Sequence, residues 1–235
     1  MADLSHLQLY LTQPHDCSYL EGEEATTAFI DPSIQIDQHT YTQLSQLGFR
    51  RSGPHVYRPQ CAKCHACISS RIPVSRFKPN RSQKRIWKRN SDLRIEALSN
   101  IQGDQFFELY SKYIHARHSD GDMFPPTRDQ YDNFLTNQWG DTAYLAFYDA
   151  EKLVAAAVTD VLNSGLSAIY TFYDTGEDKR GLGIYAVLYQ IELARQQGLE
   201  HVYLGYWIKQ CQKMSYKIKY RPIELLIDQQ WVLVN

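Results

Sequence analysis

Between residues 143 and 208 the chain sets out three strand-like runs, a glycine-bearing turn, a helix and a further strand, and this order constrains the fold most. Ala143 to Tyr148, Val154 to Val161 and Leu166 to Tyr173 are apolar and rich in residues that suit strands, with Asn163-Ser164-Gly165 as a hairpin signal between the last two. The turn around Gly181-Leu182-Gly183 leads into a helix over Ile184 to Gln196, which Gly198 ends. The strand His201 to Ile208 completes the unit. Ahead of it, Phe106, Phe107, Leu109, Tyr110, Tyr113 and Ile114 recur at helical spacing, and Thr127 to Trp139 reads as a second amphipathic helix.

Helices, a strand meander, then a helix packed back before another strand is the order of an acetyltransferase-like (GNAT) domain. The expected fold class is therefore α/β (α+β), with this domain over 96–235 and a boundary near 95–103. Residues 1–95 read as a separate α/β unit. It has an apolar alternation at Ala28, Ile30, Ile34 and Ile36, a helix near Thr40 to Leu47, a reversal at Gly53-Pro54, a cysteine-rich loop, and a basic helix from Ser82 to Leu93.

Formal net charge is -1, which does not advertise a nucleic-acid binder, but the charges are unevenly placed. No lysine or arginine precedes Arg50, whereas the window from Arg50 to Arg94 holds about half of the chain's cations and the single acid Asp92. Five cysteines are an odd number, and four lie in the first third, which suits thiols or a metal site better than a disulfide framework. With no signal-peptide pattern and no long apolar run, the chain reads as cytoplasmic, without a membrane partner.

Three stretches are specific. The first runs from Tyr57-Arg58-Pro59-Gln60-Cys61-Ala62-Lys63-Cys64-His65-Ala66-Cys67 through Ser70-Arg71-Ile72-Pro73 to Phe77-Lys78-Pro79-Asn80-Arg81-Ser82-Gln83-Lys84-Arg85. The second is Tyr170-Thr171-Phe172-Tyr173-Asp174, and the third is Val202 to Ile208 with Lys213-Met214-Ser215-Tyr216-Lys217 after it. With Asp16-Cys17-Ser18-Tyr19 they resemble the arginyl-tRNA-protein transferase family, and the cysteine spacing is most similar to its bacterial aspartate/glutamate leucyltransferase branch. The resemblance implies an aminoacyl-tRNA donor, leucyl-tRNA in that branch, and acceptor proteins beginning with Asp or Glu, marked for N-end rule degradation by the added residue.

That reaction is attack of an α-amine on an ester carbonyl, and an amine of pKa about 7.7 to 8.0 needs only modest deprotonating help. Binding and orientation can supply much of the acceleration, so no nucleophilic triad and no catalytic cofactor is required. Asp174 is the expected carboxylate for the amine and Tyr206 the second catalytic group. Tyr170, Tyr173 and Gly183 are expected at the substrate, and Lys213 and Lys217 at an acceptor carboxylate or the tRNA 3′ end. The structural alternative for these aromatics is a place in the core.

Arg76, Lys78, Arg81, Lys84, Arg85, Lys88 and Arg89 are the expected tRNA contacts, the alternative being a solvated helix face. His118 reads first as a partner for its helix C-terminus and second as a proton acceptor. Cys17, Cys61, Cys64 and Cys67 are candidates for a structural or redox-sensing zinc or iron-sulfur site, with free thiols as the alternative.

Three other functions stay open: arginyl transfer, which would call for a buried acid in the donor pocket; a coenzyme A-dependent N-acetyltransferase; and a noncatalytic nucleic-acid module. Against the second, Asp178 stands where a pyrophosphate-binding turn expects Arg or Gln.

Overall fold

The structure, a computed structural model, describes residue 4, residues 7–136 and residues 140–235. The chain runs β1 (Leu9–Leu11), β2 (His15–Asp16), β3 (Glu24–Ala25), β4 (Thr27–Ile30), α1 (Gln38–Gln46), β5 (Arg50–Ser52), β6 (His55–Pro59) and β7 (Ile68–Pro73). It continues with α2 (Arg81–Arg89), β8 (Arg94–Leu98), α3 (Asp104–Arg117), α4 (Arg128–Tyr131), β9 (Thr142–Asp149), β10 (Lys152–Leu162) and β11 (Gly165–Tyr173). Last come α5 (Leu182–Gln196), β12 (His201–Trp207), α6 (Gln212–Ser215), β13 (Ile223–Ile227) and β14 (Gln230–Val234).

The strands from β8 onward, joined by β7, form one large sheet in the order β14-β13-β7-β12-β11-β10-β9-β8, and β1-β4-β6-β5 form a smaller one. The mixed α/β class is as expected. The boundary expected near 95–103 does not separate two sheets, however. β7 lies well before it, yet pairs antiparallel with β12, Ile72 opposite Val202 and Ser69 opposite Tyr206.

Strand β10 explains the large core. Ala156 and Val158 pack with Tyr110 and Ile114 of α3, while Ala155 and Ala157 pack with Leu182, Tyr185 and Ala186 of α5. A strand whose successive side chains face opposite ways, each way covered by a helix, must read as a continuous apolar run. The three consecutive alanines leave room for both helices to approach.

Helix α2 begins at Asn80, whose side chain accepts from the Gln83 amide while the Gln83 side chain accepts from the Asn80 amide. This reciprocal cap satisfies two otherwise orphaned donors and places the helix start one residue ahead of that expected at Ser82. The helix expected over Thr127 to Trp139 is α-helical only through Tyr131. It continues as a π-helix over Asp132–Thr136, and residues 137–139 lie outside the described ones. The alternation expected to reach Ile36 ends at Ile30, because Asp31 caps the Ser33 amide and turns the chain.

Candidate active site

β11 and β12 run parallel, but their register covers only Gly165 with His201, Leu166 with Val202 and Ser167 with Tyr203. Beyond that point the strands diverge, and a cavity of about 1330 Å³ occupies the opening. Its walls are Ala168 to Thr171 and Tyr173 from β11, Leu204 to Tyr206 from β12, and Gly181 to Ile184 at the start of α5. Residues 50–55 and Tyr57 of the β5–β6 hairpin, parts of α3, and the segment from Cys211 to Tyr220 close it. A parallel pair that splays leaves backbone groups and room together, which is where α/β sheets accept ligands.

One side is aromatic and apolar. Tyr113 meets Tyr173 at 4.9 Å and Tyr170 at 6.3 Å between ring centroids, and Phe134 meets Tyr170 at 5.2 Å. Met123 and Ile169 extend this wall. The Tyr170 hydroxyl is buried with no hydrogen-bond partner among the described residues, and burial holds its pKa far above the ordinary tyrosine value. It remains a neutral donor.

The other side is cationic. Arg50 reaches into the opening, donating to Ser167 Oγ at 2.7 Å and to the Ala168 carbonyl at 2.5 Å, the latter on the strand just past the register. Gly205 has φ +77, and a Cβ there would lie 3.1 Å from Arg50 Nε, so glycine admits the guanidinium and takes the left-handed backbone at once. Lys217 is buried; its ammonium donates to the Tyr206 carbonyl at 2.8 Å and lies 3.0 Å from Met214 Sδ. Burial, with the Arg50 charge nearby, holds its pKa down to about 7.

The expected site residues divide. Tyr170, Tyr173, Gly183, Lys213 and Lys217 all line the cavity. Gly183 abuts Tyr173, with a Cβ position 3.0 Å from the ring, and Gly181 abuts Ile86 of α2, so both glycines serve close packing. Lys213 is engaged with Asp120 at 2.7 Å.

Two expectations need correction. Asp174 is not among the lining residues: its carboxylate pairs with Lys152 at 2.7 Å and caps the Gly176 amide, and these bonds hold its pKa low. Tyr206 lines the cavity, but its hydroxyl donates to the Gly48 carbonyl at 2.9 Å, tying β12 to the turn before β5. It is an anchor. His118 caps α3 and also lines the cavity, where burial and then Lys213 hold its pKa down, so at pH 7 it is a neutral imidazole.

The cations of the basic segment, Arg76, Lys78, Arg81, Lys84, Arg85, Lys88 and Arg89, are exposed. Helix α2 is fixed through its other face, where Gln83 and Asn90 are buried and Asn90 donates to the Arg180 carbonyl at 2.8 Å. None of Lys84, Arg85 and Lys88 makes a salt bridge among the described residues. Arg89 donates to the Lys179 carbonyl.

Cys17, Cys61, Cys64, Cys67 and Cys211 are free and partly buried, and burial with the neighbouring thiols pushes Cys67 up to about 12. Among the described residues no three His, Cys, Asp or Glu side chains converge as a metal site would require.

Arg50, Tyr110, Tyr113 and Phe134 line the cavity although sequence reasoning does not single them out for it. Only the helical spacing of Tyr110 and Tyr113 hints at a shared face; nothing local marks Arg50.

Residues 15–85 match the model for the arginine-tRNA-protein transferase N terminus, and residues 105–227 that for its C terminus. The aspartate/glutamate leucyltransferase of Pseudomonas fluorescens strain Pf0-1 is 54% identical over 235 residues, 100% of each chain. That of Saccharophagus degradans is 55% identical over 233 residues, 99% of each chain. The solved L-PGS of Bacillus licheniformis aligns with TM-score 0.50 at 12% identity, over 72% of this chain and 58% of its own, a likeness of fold alone.

Proposed function

The chain belongs to the arginine-tRNA-protein transferase family, and on that premise we propose that it transfers leucine from leucyl-tRNA to proteins whose first residue is Asp or Glu. One observation carries the choice of leucine. Among the described residues no acid lining the cavity is buried: Asp122, Asp129 and Asp178 are exposed, and Glu177 is half-buried beside Lys152 and Arg180. An arginine side chain inserted into the aromatic wall would leave its charge unpaired, whereas a leucine side chain needs only apolar contact.

In the reaction the acceptor's α-amine nitrogen forms a bond to the ester carbonyl carbon, and the bond to the tRNA terminal ribose oxygen breaks. The proton lost by the amine leaves with that oxygen. The unpartnered Tyr170 hydroxyl is a donor for the reacting carbonyl, and the His118 imidazole is a group on the wall that takes and returns the proton. The donor's phosphate backbone lies along the exposed cations of α2, which the packing of Gly181 against Ile86 sets beside the cavity's α5 wall.

The chemistry draws on no coenzyme A and no metal, and the leucylated product is the form marked for N-end rule degradation in the cytoplasm. The test supplies the purified protein and an Asp-led peptide with tRNA charged separately with labelled leucine or arginine. Leucine incorporation should exceed arginine by at least tenfold, and the reverse order would overturn the assignment.

A further inference from the structure

Two cations inside the cavity have no acid to answer them. Arg50 is 8% exposed and Lys217 4%, yet among the described residues neither forms a salt bridge. Every other cation on the cavity wall that the site could use is already paired: Arg51 with Asp160, Arg117 with Asp178 and Lys213 with Asp120. The two unpaired cations bear on adjacent residues of β12. The Arg50 guanidinium lies against Gly205, and the Lys217 ammonium donates to the carbonyl of the next residue, Tyr206. Around them are Tyr57 and Tyr206, both held protonated by burial, together with Tyr216, Cys211 and Met214. Among the described residues no Asp or Glu carboxylate pairs with either cation. A buried like-charged pair is unfavourable unless an anion completes it.

We propose that Arg50 and Lys217 together form the carboxylate site that recognises the side chain of the acceptor's first residue, so that discrimination of Asp and Glu from Asn and Gln resides in these two groups. The assignment rests on the acidic-acceptor reading above and names the groups behind it. Lys217 keeps an N–H beyond those it gives to Tyr206 and Met214, and Arg50 has five donors of which two are accounted for by Ser167 and Ala168. A carboxylate between them would be held by charge-assisted hydrogen bonds on both oxygens. An amide would bring no charge and would leave the cations uncompensated. A tRNA phosphate is the other anion available, and the donor's backbone has the exposed cations of α2 to meet it, so the buried pair is assigned to the peptide.

The experiment measures leucyl transfer to peptides identical except for Asp or Asn at the first position, with KM determined for peptide and for leucyl-tRNA. Lys217→Met should lower the Asp-over-Asn ratio of kcat/KM by about 30-fold or more, chiefly through the peptide KM. The KM for leucyl-tRNA should stay unchanged, and Lys217→Arg should restore part of the ratio. A Lys217→Met protein that keeps the wild-type ratio, or one in which only the tRNA KM rises, overturns the proposal. A second measurement uses wild type alone: trace acetylation of Lys217, read by mass spectrometry, should be suppressed by the Asp-led peptide and not by the Asn-led one. Equal protection by both overturns it as well. If wild type transfers no leucine to any peptide, the functional reading itself has failed, and the acetylation result still decides whether the pair binds a carboxylate.

Discussion

The side chains at Arg51 and Asp160 show how closely a structural ion pair can resemble a functional one. Arg51 lines the cavity, but its Nε and Nη2 each donate at 2.7 Å to the two oxygens of a buried Asp160, which also accepts from Thr142. Asp160→Asn should therefore lower unfolding stability by about 3–5 kcal/mol in urea titrations, since it leaves a buried guanidinium uncompensated.

Lys217 gives a prediction of opposite character. Its folded pKa lies below the unfolded value, so between about pH 7 and pH 10 the unfolded chain binds more protons, and stability rises with pH across that window. Lys217→Met should lose this dependence: denaturant midpoints measured at pH 7 and pH 9 should differ by less than in wild type. An equal difference in the two proteins would count against a buried, uncompensated ammonium. Asp174 and Tyr206 mark what sequence could not reach at this scale. Strand-end position was legible, but whether a side chain turns to the cavity or to Lys152 or Gly48 depends on partners far away in the chain.

Among the elements, α2 was readable because its signals are local: Asn80 and Gln83 cap it, and its cations follow at helical spacing. Its role is tested by salt. Changing Lys84, Arg85 and Lys88 to alanine should raise the tRNA dissociation constant and lower the slope of log affinity against log salt, by roughly one unit for each phosphate left without its cation. Peptide KM at saturating tRNA should change little. Superimposable slopes for wild type and triple variant would return α2 to an ordinary solvated helix. β7 was less readable, since its residues carry a family motif that says nothing of their place in a sheet. Its hydrogen bonds go to β12 and β13, more than 120 residues later, and no local pattern states such pairings.

For the whole molecule, the sequence carried the succession of strands from β9 to β12 and the family. Windows 105–227 and 15–85 match two parts of the family, while the large sheet joins them through β7. The division at 95–103 rests on a change of pattern along the chain, which cannot see that a strand from one side completes a sheet on the other. Arg50 depends on the same long-range assembly, because only the docking of β5 beside β11 and β12 puts its charge in the cavity.

The central claim is that one cavity reads an apolar donor and an acidic acceptor together. It is tested most directly by a matrix of initial rates, leucyl-tRNA or arginyl-tRNA against Asp-led or Asn-led peptide, without added coenzyme A. The account predicts rapid transfer for leucine onto the Asp-led peptide and rates at least tenfold lower in the other three combinations. Arginine transferred to the Asp-led peptide as fast as leucine, or leucine transferred equally to both peptides, would contradict it.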